Sequence, residues 1–362
     1  MFGIKEFAFV PPPYGGVSIY VKRLIERLNS LGIKTGGYYL PQCKDFSIRE
    51  SNLFQEWAWM PTHLFFVRIF KYIRETKHYK IIHSHFSLEG MLYLWFLKSF
   101  CKKIIVVTVH NSMVANYLKR TNLINRFFLK RMARSAKVTW IAVSEQAKMS
   151  LLALPISFGS DIMVIPAYIP FNNNSIHDLI YELHNYIGKH EKILVFYGHS
   201  FMKYNNHDVY GFEEVLKMFA SFSDEEQKQY GLIFCIANSS DKESLSTIMG
   251  IASSMGIAGR IYWQIGPIEN MASIWKHTDV YIRPTFTDGD SVAVREALDM
   301  GVQVVASDVC ERPKDVITYP YGDINMMTDA VRMAILQGKR TPNNDETFFN
   351  QMLNVYMDLL GK

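Results

Sequence analysis

Cysteine is scarce and placed without pattern. Cys43, Cys101, Cys235 and Cys310 stand far apart in a chain of 362 residues, with neither a metal-ligand spacing nor a dense disulfide framework. A reducing compartment suits that usage, and a cytoplasmic location is expected. Long apolar runs are missing too. The longest uncharged apolar stretch, Met91–Leu97, is far below the ~20 residues needed to span a bilayer. The opening residues, MFGIKEFAFV, lack a basic segment followed by a long apolar core, so no signal peptide is expected. No internal repeat or low-complexity tract interrupts the chain.

Charge is present but unevenly spread. Residues 1–170 hold 23 Lys and Arg against 9 Asp and Glu, whereas residues 171–362 hold 16 against 25. A basic first half suits an anionic partner, with a membrane surface or polyprenyl phosphate favoured over nucleic acid. Two stretches concentrate this charge. His63–Tyr79 mixes Phe65, Phe66, Ile69, Phe70 and Ile73 with Arg68, Lys71 and Arg74; Tyr117–Lys137 mixes Leu123, Phe127, Phe128 and Leu129 with Lys119, Arg120, Arg126, Lys130, Arg131 and Arg134. Basic amphipathic helices bind anionic bilayers through apolar burial plus about 1 kcal/mol per nearby cation. Each stretch alone also fits a helix packed on a sheet with a solvated basic face.

The most informative segment is YIRPTFTDGDSVAVREALDMGVQVVASD, Tyr281 to Asp308. A short apolar strand ends at Pro284, a polar turn follows, and a helix is expected over Val292–Met300. Gly301 suits a left-handed cap, and Val302–Ala306 reads as a second strand. The turn Asp288-Gly289-Asp290-Ser291 leads into Val292 and brings backbone N–H groups and a positive helix end to one place, where a phosphate would sit. Asp288 lies before the helix and Glu296 inside it, and carboxylates are suited to sugar hydroxyls. The same two residues also fit an N-cap and a dipole partner.

In the first half, Lys5–Val10 reads as a strand, followed by Tyr14-Gly15-Gly16-Val17 and an amphipathic helix over Ser18–Leu31. A glycine pair between strand and helix lets backbone approach a ligand closely, although an ordinary turn would look the same. Lys80–His85, Lys103–Thr108 and Lys137–Val143 are β-branched runs separated by helical stretches, which argues for a parallel α/β sheet. His83, His85 and His110 fall near strand ends, where such sheets bind ligands. No third ligand is spaced to join His83 and His85, so no metal site is expected. In the second half, Phe171–His190 reads as an irregular linker. Lys192–Tyr197, Leu232–Ala237 and Gly259–Trp263 read as strands, and Ile268–His277 as a helix.

The Tyr281–Asp308 segment resembles the signature of glycosyltransferase family 4, whose donor site carries two acidic residues separated by seven. Asp288 and Glu296 have that spacing, with Asp in place of the commoner Glu. The Asp-Gly-Asp-Ser wording resembles a bacterial surface-polysaccharide branch, Thr108-Val109-His110-Asn111 resembles the family's Thr-x-His loop, and Gly15-Gly16 its glycine-rich loop. The chain departs from the family after Gly198, where an Arg and a Lys–Gly pair serve the diphosphate. Here His199 stands near the Arg position, Lys203 is displaced, and Tyr210-Gly211 replaces Lys–Gly. His199, Lys203 and Arg283 are the candidate substitutes.

The resemblance implies an α/β GT-B fold, two Rossmann-like domains with parallel sheets facing across a cleft. Residues 1–170 would form the acceptor-side domain, 171–345 the nucleotide-sugar domain, and 346–362 a helix crossing back to the first. It implies a retaining, metal-independent hexosyltransferase with no cofactor, acting from a UDP-sugar, or a GDP-sugar, onto a lipid-linked or soluble glycan. His110, Asp288 and Glu296 would be catalytic. Gly15, Gly16, His199, Lys203, Arg283, Gly289, Asp290, Ser291, Val292 and Glu296 would bind donor. Bacterial polysaccharide synthesis at the inner membrane face would be the setting, with no nucleic-acid partner. A sugar-nucleotide epimerase of the same fold, or a non-catalytic membrane or nucleic-acid binding module, are the other readings.

Overall fold

The computed structural model describes residues 3–11, 15–57, 65–85, 90–110, 114, 118, 121–171, 179–268, 271–343 and 345–361. The chain divides into two compact units, one made of Met1–Ile169 with Glu346–Lys362 and the other of Pro170–Asp345.

The first unit is built on a seven-stranded sheet. Its strands are β1 (Ile4–Phe9), β2 (Thr35–Tyr39), β3 (Phe54–Glu56), β4 (Ile81–Ser84), β5 (Ile104–Val109), β6 (Val138–Ala142) and β7 (Ile162–Val164). They lie in the order β3-β2-β1-β4-β5-β6-β7, and every pairing is parallel. The chain therefore winds outward from β1 to β3, returns to β4 beside β1, and winds the other way. That reversal opens a crevice at the carboxyl ends of β1 and β4. Helix Gly16–Ser30 buries Tyr20, Val21, Leu24, Ile25 and Leu28 against one face. The terminal helix Thr347–Leu360 buries Phe349, Met352 and Tyr356 in the same core.

Strand β2 has no counterpart in the sequence reading, because its Thr-Gly-Gly-Tyr-Tyr wording lacks the β-branched run that marks the others. The glycines are needed by packing. A Cβ on Gly37 would meet Ile25 Cδ1 at 2.5 Å, and one on Gly36 would meet Tyr79 Oη at 2.8 Å. Beside them lies Lys5, fully buried, whose Nζ donates to Gly37 O at 3.2 Å and Gln55 Oε1 at 2.9 Å and sits 4.1 Å from the Tyr38 ring centroid. Burial holds its pKa down to about 8.

The second unit carries a six-stranded sheet of β8 (Lys192–Gly198), β11 (Tyr230–Ile236), β12 (Ile261–Ile265), β13 (Val280–Arg283), β14 (Gln303–Ser307) and β15 (Ile317–Tyr319), together with a small hairpin of β9 (Lys203–Tyr204) and β10 (His207–Asp208). Its order, β12-β11-β8-β13-β14-β15, is again parallel throughout and reverses between β8 and β13. Two sequence expectations are corrected here. The stretch read as an irregular linker contains a helix, Tyr181–Ile187, because Leu183 is buried in the core with Ile193 and Val195; residues 172–178 lie outside the described residues. The helix expected over Ile268–His277 is only Ala272–Trp275, with 269 and 270 outside the described residues. No helix among the described residues is long and apolar enough to cross a membrane.

Candidate functional site

In the second unit, strand β13 delivers Arg283 to the reversal point. Its guanidinium meets Asp288 through two bonds, Nε to Oδ2 and Nη2 to Oδ1, both 3.0 Å. Arg312 reaches the same carboxylate, Nη1 to Oδ2 at 2.8 Å, and is fixed by Ser307 O at 3.1 Å and Thr285 Oγ1 at 3.1 Å. Burial alone would raise the Asp288 carboxyl, but the two guanidiniums outweigh it and hold it at about 2. Two cations around one anion leave a surplus positive charge in a buried cluster. Sequence reasoning missed Arg312, which follows β14 with no motif to mark it.

The turn after Asp288 enters helix Val292–Asp299, with Ser291 as its N-cap. Gly289 N donates to Asp288 Oδ1 at 3.1 Å. Asp290 Oδ1 accepts from Arg295 Nε at 2.7 Å, while its buried Oδ2 has no hydrogen-bond partner among the described residues. Glu296 is buried inside this helix, and Trp275 Nε1 donates to its Oε2 at 3.3 Å. Asp288 and Glu296 thus differ in kind. Asp288 is an ion-paired carboxylate with both oxygens engaged by arginines, whereas Glu296 accepts from a neutral indole.

Of the residues at the departure from the family pattern, Tyr210 and Gly211 touch this cluster. His199, at the end of β8, has a buried Nδ1 without a partner among the described residues, and burial lowers its pKa. Tyr210 lies under Arg283, whose Cζ is 5.3 Å from the ring centroid. Gly211 adopts φ +75°, and a Cβ there would meet Pro284 O at 2.4 Å, so this glycine lets two loops of the site touch. Lys203 is exposed on the small hairpin. That hairpin is tied to the site through His207, whose ring stacks on Phe286 with centroids 4.3 Å apart.

In the first unit, the register of β1 against β4 puts Glu6 opposite His83. Side chains two apart on a strand share a face, so His85 follows His83, and Thr108 is followed by His110 from β5. The result is a buried polar cluster. His85 Nε2 lies 2.8 Å from Glu6 Oε2, and His85 Nδ1 lies 2.8 Å from His110 Nε2. His83 Nδ1 lies 2.6 Å from Tyr356 Oη, its Nε2 lies 2.7 Å from Thr108 Oγ1, and Tyr356 Oη donates to Glu6 Oε1 at 3.2 Å. Burial would raise the Glu6 carboxyl, but the His83 and His85 rings pull it down to about 2. Burial lowers His85 to about 4 and puts His110 well below its ordinary value.

Glu6 is the third ligand-type residue that sequence spacing did not supply, since it stands 77 positions before His83. Ligand-type atoms of Glu6, His83 and His85 fall within 4.8 Å of one another. Both ring nitrogens of His83 are already engaged by Tyr356 and Thr108, however, which favours a hydrogen-bonded cluster over a coordination shell.

Gly15 caps helix Gly16–Ser30 with φ −166°, a conformation open to any residue, and an added Cβ would meet nothing within 4 Å. Packing among the described residues therefore does not explain a glycine there; close approach of a ligand would. Tyr14 and Asn111 lie outside the described residues, as do Lys119 and Arg120.

The family model of Glycosyltransferase Family 4 matches residues 14–170. None of the curated proteins matches in sequence. Among solved structures, sucrose-phosphate synthase from Thermosynechococcus elongatus is similar at 18% identity with a TM-score of 0.70, covering 100% of both chains. Anabaena HepE in complex with UDP-glucose is 12% identical with a TM-score of 0.68, covering 99% of this chain and 100% of that one. WaaG, a glycosyltransferase involved in lipopolysaccharide biosynthesis, is 12% identical with a TM-score of 0.62, covering 92% and 90%. At these identities the likeness defines the fold, the α/β fold of GT-B glycosyltransferases with two parallel sheets.

Proposed function

We propose that the protein is a retaining glycosyltransferase. It transfers a hexose-type sugar from a nucleotide diphosphate donor, a UDP-sugar before a GDP-sugar, to a lipid-linked or growing glycan in bacterial polysaccharide synthesis, without a metal ion. The observation that carries this reading is the Arg283–Asp288–Arg312 cluster beside the N-terminus of helix Val292–Asp299. A diphosphate leaving group needs fixed positive charge and backbone N–H donors, and that end of the sheet supplies both. Support also comes from the family match over residues 14–170 and from a similar fold that binds UDP-glucose.

In this reading Asp288 orients the two guanidiniums, while the first-turn N–H groups of Ser291 and Val292 receive phosphate oxygens. Glu296 accepts from ribose hydroxyls, and Trp275 fixes its carboxylate. His199 Nδ1 and Asp290 Oδ2 offer unpaired polar atoms to the donor. Gly15 and Gly16 allow close backbone approach, and His110 meets a sugar hydroxyl. Delivery of the acceptor on the leaving-group face requires no protein nucleophile.

The test is release of nucleoside diphosphate from a panel of sugar nucleotides, with and without lipid-linked glycan. Turnover is expected only with donor and acceptor together. Glu296→Ala is expected to lower kcat/KM by about 100-fold, the scale of losing a charged hydrogen bond to substrate together with its positioning. A change within a few-fold would remove Glu296 from the site.

The anionic membrane partner belongs to the same reading. Helices Phe65–Thr76 and Leu123–Ala133 both flank helix Met91–Phe100, through Arg68 Nη1 to Tyr93 Oη at 3.2 Å and Trp95 on Phe128 at 5.0 Å. They expose Phe66, Phe70, Leu123, Ile124 and Phe127 among their cations. The protein is expected to sediment with vesicles containing anionic lipid and not with purely zwitterionic ones. Phe70→Ser with Phe127→Ser should weaken that binding about tenfold or more, from lost apolar burial. Equal sedimentation with both vesicle types would refute the membrane partner.

A further inference from the structure

Among the described residues of the first unit, Glu6, His85 and His110 form a linear chain of short hydrogen bonds, and its outer end is half-buried while its inner end is sealed. Glu6 and His83 are fully buried, and the His85 side chain is 1% exposed. This exceeds what a structural role for His110 requires, because packing alone would not align three titratable groups nitrogen to oxygen and nitrogen to nitrogen.

Proton counting fixes the chain. An ionised carboxylate only accepts, so His85 must carry its proton on Nε2, 2.8 Å from Glu6 Oε2. A neutral imidazole has one N–H, so His85 Nδ1 must accept. Its neighbour 2.8 Å away is His110 Nε2, which must therefore donate. The other branch closes with the same logic. Tyr356 Oη donates to Glu6 Oε1, accepts from His83 Nδ1, and leaves His83 Nε2 to accept from Thr108 Oγ1. One proton arrangement satisfies every bond and leaves a single nitrogen, His110 Nδ1, with no bond to the described residues. Tyr20 braces the pair edge-on, 5.9 Å from His85 and 6.0 Å from His110.

We infer that Glu6 and His85 are positioning residues that lock His110 in its Nε2–H tautomer, so that Nδ1 is a fixed hydrogen-bond acceptor for a substrate hydroxyl. This rests on the glycosyl-transfer reading for the identity of the hydroxyl, but not for the tautomer. A ligand group that only accepts, such as a phosphate oxygen or a carboxylate, is disfavoured at that nitrogen while the ring is neutral. A sugar hydroxyl, which donates, is favoured.

The experiment is long-range proton–nitrogen NMR on histidine-labelled full-length protein at neutral pH, paired with turnover. His85 and His110 are both expected as Nε2–H tautomers. Glu6→Gln keeps the shape and, with its carbonyl oxygen accepting from Tyr356, turns its amide to donate to His85 Nε2. His85 then carries its proton on Nδ1, and His110 is driven to Nδ1–H. The expected result is that both tautomers invert and kcat/KM falls about tenfold or more, the scale of a mismatched buried hydrogen bond. Tyr356→Phe perturbs the same cluster without touching the Glu6–His85 bond, so His110 should stay Nε2–H. Should Glu6→Gln not fold, His85→Phe is expected to leave His110 a mixture of tautomers. A wild-type His110 found as Nδ1–H, or a His110 tautomer unmoved in both Glu6→Gln and His85→Phe, overturns the lock. Inversion with turnover unchanged overturns its role with substrate. If wild-type protein turns over no donor but shows the stated tautomers, the reaction assignment fails while the lock stands.

Discussion

Asp288→Asn is expected to lower the melting temperature by about 10 °C. The carboxylate is almost fully buried and bridges two guanidiniums at 2.8–3.0 Å. Asn preserves the volume but leaves Arg283 and Arg312 facing one another without an anion, and breaking a buried pair in this way costs about 3–5 kcal/mol. Each kcal/mol moves the midpoint of a unit this size by roughly 2–4 °C. The pH dependence gives a second readout. The folded carboxyl is held at about 2, below its ordinary 3.8, so its contribution is complete above about pH 4 and lost as pH falls through 2. The acid limb of the wild-type stability curve should therefore be steeper than that of Asp288→Asn. Glu6 and Glu226, both also held at about 2, keep part of the slope in the variant. A melting temperature within 2 °C of wild type, with an unchanged acid limb, would show that the cluster does not hold the site together.

Arg312→Ala is expected to lower kcat by about 100-fold while changing KM by only a few-fold. Without Arg312 the Arg283–Asp288 pair is self-neutralising, and the cluster loses its surplus positive charge. That charge matters most when negative charge develops on a departing diphosphate, so the loss falls on the transition state. Removing one such preorganised donor costs on the order of 10²–10³ in rate elsewhere. Arg312→Lys keeps the charge but loses the fork that reaches Asp288, Ser307 and Thr285 together, so it should recover only part of the rate. Steady-state release of nucleoside diphosphate, compared with melting temperatures of the same variants, separates loss of chemistry from loss of fold. A kcat within threefold of wild type for Arg312→Ala would assign the leaving-group charge to another residue.

The strands that face buried neighbours on both sides were readable, because a continuous β-branched run such as Ile104–Val109 has few other uses. The helix over Val292–Asp299 was readable too, from the polar turn before it and from Gly301, which adopts φ +78°, although the N-cap is Ser291 and not Asp288. Strand β2 was hidden because its glycines are demanded by Ile25 and Tyr79, neighbours brought in by the sheet. The pairing of Asp288 with Arg312 was hidden for the same reason, since two loops separated by β14 meet only when their strands lie side by side.

Alone, the sequence determined the alternation of strand and helix, the basic first half, and the acidic pair at 288 and 296, because each is a local pattern of spacing or charge. Only the tertiary structure decided that Glu6 stands opposite His83, that two arginines share Asp288, and that His110 ends a chain of hydrogen bonds. Those facts depend on strand order and register, which place residues dozens of positions apart within 3 Å and which no local pattern encodes.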